Sequence, residues 1–60
     1  MTQKDYVRLA AALLSALDQT RDSPRNQYGV QLAALRIADT LFLDNPRFKR
    51  SVFLKACGVE

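Results

Sequence analysis

Read as a helix, the segment from Pro24 to about Leu43 is apolar on two sides, and this limits what the chain can fold into. At the helical period, Tyr28, Leu32, Leu35 and Phe42 share one face. Val30, Ala33, Ala34, Ile37 and Leu41 cover much of the opposite face. Only Arg36 and Thr40 form a clear polar edge, with Gln31 as a narrower one. A helix that is apolar nearly all round has to be covered on two sides. A chain of 60 residues offers few other elements for that task. One neighbouring helix covers one face. A third segment, or a second copy of the chain, must cover the other. This predicts a homodimer, with Val30, Ala34, Ile37 and Leu41 meeting the second copy.

The rest of the sequence supplies two more helices. The first is expected over about residues 3–18. Thr2 stands as its N-cap, and Asp5 three residues later completes a capping-box pattern at the positive helix end. Tyr6, Leu9, Ala10, Leu13 and Leu17 recur at three- and four-residue spacing and form one apolar stripe. Ser23-Pro24 reads as a cap followed by proline at the first helical position, so the second helix is expected over 24–43. Gly29 weakens its first turns by about 1 kcal/mol relative to alanine, which allows the start to slip toward Gly29. Asn45-Pro46 repeats the cap-then-proline signature, so a short third helix is expected over about 47–57, starting near Pro46 or Lys49, with Gly58 as its stop. The expected fold is all-α: one domain over residues 1–60, a helical hairpin plus a short C-terminal helix, dimerised.

The available chemistry is narrow. The chain has one cysteine, Cys57, and no histidine. It can form no intramolecular disulfide and no ordinary zinc set, and its serines lack their usual activating base. Cys57 near a helix C-terminus faces the dipole end that disfavours a thiolate. Asp18 and Asp22 read as solvated turn residues. Asp39 falls between Leu35 and Phe42 on an apolar face, so it either takes a partner such as Arg36 or Arg47, or a group from another chain, or, as the favoured reading, sits at the rim with its carboxylate in water. With only Gly29 and Gly58, neither glycine-rich phosphate fingerprint can be built. No catalytic residue, cofactor or metal is expected, and the chain is not expected to be an enzyme.

Lys4 and Arg8 ahead of the apolar run Leu9 to Leu17 loosely imitate a signal peptide. Asp5 and Asp18 flank that run, and no clean small-x-small cleavage site follows it. The run is also shorter than the roughly 20 residues of a membrane span. A lone thiol suits a reducing compartment, so the expectation is a cytoplasmic protein without a membrane partner. The net charge of +3 decides nothing alone.

Arg47, Lys49, Arg50 and Lys55 gather on or beside the third helix, near Phe48. Three readings compete: a solvated basic face, a contact surface for an acidic protein, and a helix-turn-helix-like DNA contact. The turn lacks its usual glycine, and Val52, Phe53 and Leu54 crowd the face that should meet bases. Nucleic acid is therefore the less favoured partner. A small DNA-binding regulator using the third helix is kept as the alternative function.

The stretch Asp44-Asn45-Pro46-Arg47-Phe48-Lys49-Arg50, continuing through Phe53-Leu54-Lys55-Ala56-Cys57-Gly58, resembles the tail of small bacteriophage and prophage proteins. Those tails carry a DNPRF segment, then an acidic residue and an Arg, then RFLxACG. Lys49 stands where they have the acidic residue, and Val52 where they have Arg. Lys4-Asp5-Tyr6 is similar to their polar, tyrosine-containing start. The resemblance implies a phage-type product that acts in a bacterial cell by binding a host protein, including components of defence systems such as CRISPR-Cas. Asn45, Pro46, Phe53, Leu54 and Gly58 have evident structural roles. Arg47 and Arg50, with Lys49 and Phe48, are the expected partner-binding residues, because arginine and aromatic residues dominate interface hot spots.

Overall fold

In the computed structural model, which describes residues 2–59, the chain forms three helices: α1 (Gln3–Gln19), α2 (Pro24–Asp44) and α3 (Arg50–Cys57). No strand occurs among the described residues, so the fold is all-α. No helix among them is long and apolar enough to cross a membrane.

Each helix end has a local cause. At the start of α1 the Asp5 carboxylate reaches back. It accepts from the Thr2 backbone N–H at 3.0 Å and from the Thr2 hydroxyl at 3.3 Å. These bonds favour the ionised form and hold the Asp5 carboxyl below its ordinary value. At the other end Thr20 closes the helix, its hydroxyl donating to the Ala16 carbonyl at 2.8 Å. α2 starts at Pro24 and passes through Gly29 without interruption. The Ser23 hydroxyl makes no capping bond, so the proline, with its preset φ, marks this start. α3 ends on Gly58 at φ 83°, with the Val59 N–H bonded to the Leu54 carbonyl and the Gly58 N–H to that of Lys55. This is a Schellman closure, which glycine enters without strain. A Cβ at Gly58 would come within 2.8 Å of the Leu14 side chain.

The helices run up, down and up. The Asn45 amide donates to the Tyr6 hydroxyl at 3.5 Å, placing the end of α2 beside the start of α1. The Gln27 amide donates to the Leu17 carbonyl at 3.3 Å, placing the start of α2 beside the end of α1. α1 and α2 are therefore an antiparallel hairpin. α3 lies along both and shares its largest contact with α1. Phe48 sits by Tyr6 and Gly58 by Leu14, so α3 runs in the direction of α1.

The core joins Ala10 of α1, Ala34, Ala38 and Leu41 of α2, and Phe48, Phe53, Leu54 and Cys57 of the C-terminal part. Ile37 packs against this cluster, and Val30 is half-buried. This corrects the expected dimer face. Ala34 and Leu41 lie in the core of their own chain and Ile37 packs against it, so these three are not free to meet a second copy. The reason is geometric. Helix axes approach to about 8–10 Å depending on the side chains between them, and alanines permit the closer distance. Ala10, Ala34 and Ala38 stand at that approach. The bulkier face of α2 is left outside: Tyr28, Leu32, Leu35, Phe42 and Leu43 are all exposed.

The third helix begins near the later of its two expected starts. Asn45 and Pro46 do not open it; Asn45 is the C-cap of α2, and Lys49 precedes the first helical residue, Arg50. Residues 45–49 form a turn instead.

Candidate interaction surfaces

That turn builds the C-terminal site. Pro46 pushes Asn45 out of helical angles, to φ −140° and ψ 101°, and so stops α2. The Asn45 side-chain oxygen then accepts from the Arg47 N–H at 3.1 Å, an Asx turn. The Phe48 N–H donates to the Asn45 carbonyl at 2.9 Å. The two bonds reverse the chain and drive Phe48 inward. Its ring lies 5.0 Å from that of Tyr6 and 5.4 Å from that of Phe53, both tilted. Such tilted pairs add about 0.5–1.5 kcal/mol beyond area burial.

The four expected partner-binding residues separate into two kinds. Phe48 is buried and belongs to the core, so its assignment as a partner contact is corrected. Arg50 reaches back to α2 and pairs with Asp39 at 2.6 Å. It ties α3 to α2 while its side chain stays 41% exposed. The acid on the apolar face thus finds its partner in its own chain, in Arg50 rather than Arg36 or Arg47. The Arg50 Nε is buried without a hydrogen-bond partner, so this tie is incompletely satisfied. Arg47 and Lys49 are exposed. The ion pairs found among the described residues are Arg21–Asp18 and Arg50–Asp39, and neither involves them.

Arg47 and Lys49 edge a groove of about 430 Å³ between α1 and the C-terminal turn and helix. Val7, Val52, Phe53 and Ala10 line its apolar part. Val7 and Val52 are each 58% exposed, so the groove is a wettable apolar cleft with a basic edge. Sequence reasoning named the charges and missed the valines. Their signal was present: Val52 lies off the Phe53–Leu54–Cys57 face, and Val7 only broadens the α1 stripe.

A second surface is the outer stripe of α2, with five large apolar side chains and one charged pair, Asp39–Arg50, at its middle. The nucleophile candidate lies on neither surface. Cys57 is fully buried, and burial pushes its thiol above the ordinary value. No group of acidic residues and cysteine that could hold a metal ion occurs among the described residues.

Comparison of the chain with protein-family models, with curated proteins and with solved structures finds no match.

Proposed function

We propose that this chain is a non-enzymatic binding module of phage or prophage type that attaches to a bacterial host protein in the cytoplasm and modulates it. A component of a host defence system is the class of target. The phage assignment rests on the resemblance of the tail. The observation that carries the binding reading is the groove: Arg47 and Lys49, exposed and outside the ion pairs found among the described residues, stand beside the exposed Val7 and Val52. An acidic segment with one apolar face would complement both features. The absence of catalysis is supported by what the reactive groups are doing: Cys57 is a buried neutral thiol, Asp5 caps α1, and Asp39 holds Arg50.

A pull-down from bacterial lysate tests this reading, comparing the wild type with Arg47→Glu/Lys49→Glu. Both positions are exposed, so the helical circular dichroism of the variant should match the wild type. The wild type should retain a protein that the variant loses. Equal recovery of the same protein by both contradicts the assignment. Binding of duplex DNA at low salt that falls steeply as salt rises would instead select the DNA-binding alternative.

A further inference from the structure

α1 and α3 carry the same pattern beside the groove. Lys4, Val7 and Ala11 stand at spacings of three and four residues on α1. Lys49, the N-cap residue of α3, stands at the same spacings from Val52 and Ala56. All six are exposed, and Val7, Lys49, Val52 and Ala56 line the groove itself. Three-then-four spacing keeps such residues on one line along a helix. The line on α1 continues through the exposed Leu14 and is distinct from the inner line of Tyr6, Ala10 and Leu13, which packs on the core. α1 and α3 run in the same direction, and Gly58 lies against Leu14. Val7 is seven residues back from Leu14 and Val52 six back from Gly58, so the valines are level to within about one helical rise of ~1.5 Å. The two lysines, with Arg47, therefore gather at one end of the groove. Of the residues that line it, none is acidic.

We propose that the partner segment held in this groove is an amphipathic α-helix with acidic side chains gathered at one end, docked as a fourth helix along α1 and α3. This rests on the reading of the groove as a partner-binding site and adds the conformation and register of the occupant. Two lines of valine and alanine at three-and-four spacing offer the holes that the apolar side chains of a facing helix fill. Ala11 and Ala56 let that helix approach closely. An extended strand, whose side chains alternate at period two, matches neither line. Val7 and Val52, each 58% exposed, supply the apolar anchor, and Lys4, Lys49 and Arg47 supply the charge that fixes the acidic end. The cations stand at one end and not along the floor, which does not match the evenly spaced phosphates of a nucleic acid. The concave shape does not match a flat lipid surface.

Fluorescence anisotropy with stapled helical peptides of about 15 residues tests the proposal. The first peptide carries leucines at three-and-four spacing and glutamates at one end. The second has the same composition with the leucine spacing scrambled, and the third has lysines in place of the glutamates. The first should bind the wild type with a Kd on the order of 10–100 µM, and the other two should bind about tenfold more weakly or worse. Val52→Asp should weaken the first peptide by about tenfold or more while keeping helical circular dichroism. Val7→Asp is the second variant should Val52→Asp not fold. Lys4→Glu/Lys49→Glu should reverse the preference, so that the lysine peptide binds better than the glutamate peptide. Equal binding of the first and scrambled peptides, indifference to peptide charge, or groove variants that bind as the wild type does would overturn the proposal. So would a wild type that sediments above its chain mass of 6.8 kDa and returns to it in Val52→Asp, because a second copy then fills the groove. If no peptide binds while the lysate protein still separates the wild type from Arg47→Glu/Lys49→Glu, the helical occupant is rejected and the binding site stands.

Discussion

Leu41, Phe42 and Leu43 are consecutive, yet their exposures are 9%, 45% and 84%. They mark the boundary between two apolar faces of α2. The inner face is built on Ala34, Ala38 and Leu41 and closes against α1 and α3. The outer face holds larger side chains and closes against nothing in its own chain. By bulk alone, the outer face has more apolar area to bury. The fold chooses the face that lets three short helices come close. In a chain this small, contact between helix backbones outweighs the size of individual side chains. The larger face is then left outside.

Neighbouring substitutions can break this comparison. Leu41→Ala should destabilise the fold by about 2–5 kcal/mol, because it empties a site in the core. Phe42→Ala should change the stability of the isolated protomer by no more than about 0.5 kcal/mol. Chemical denaturation of both variants at low protein concentration checks the pair, and equal losses would mean that the two faces are not distinct. Ala38→Leu should cost about 1–3 kcal/mol by forcing the helices apart, whereas Ala33→Leu, at an exposed site, should be close to neutral.

A smaller loss is expected at the far end of the bundle. Gly58→Ala places a side chain at positive φ and against Leu14, and should lower stability by about 1–2 kcal/mol. A thermal melt unchanged by Gly58→Ala would contradict the helix closure described for α3.

The smallest effect concerns the contrasting helix starts. The Asp5 carboxyl is lowered in the folded protein, chiefly by its bond to the Thr2 backbone. Its contribution is therefore complete above the ordinary value of 3.8 and is lost as pH falls through the lowered folded value. Asp5→Asn should remove that part of the acid-side slope of stability, and α2, with no acid in its first turn, should contribute no equivalent. Acid titration of the melting temperature for wild type and variant measures the difference.

Much of the fold was legible in the sequence because its signals are local. The capping pair Thr2 and Asp5, the proline at 24 and the glycine at 58 each act within a few residues. The failures involve choices that local signals do not make. Asn45-Pro46 has the same form as Ser23-Pro24, but Asn45 uses its side chain to hold a turn through the Arg47 N–H. Phe48 therefore enters the core instead of opening a helix. Arg50 looked free because its partner, Asp39, lies on another helix. The choice between the faces of α2 depended on what α1 and α3 present. The alanines were the readable hint, since small residues mark close approach. Within the candidate site, Arg47 and Lys49 were identified from charge alone. The groove beside them was not, because it exists only once α1 and α3 lie side by side.

The central claim is that the small-residue face of α2, with Ala34, Ala38 and Leu41, makes the fold, while its larger outer face contributes little to it. Thermal melts of Ala38→Leu and Leu35→Asp at one low protein concentration test this most directly. Leu35→Asp should melt cooperatively close to the wild type, whereas Ala38→Leu should melt well below it. A Leu35→Asp chain with no cooperative melt, or equal losses in the two variants, would contradict the division between the two faces.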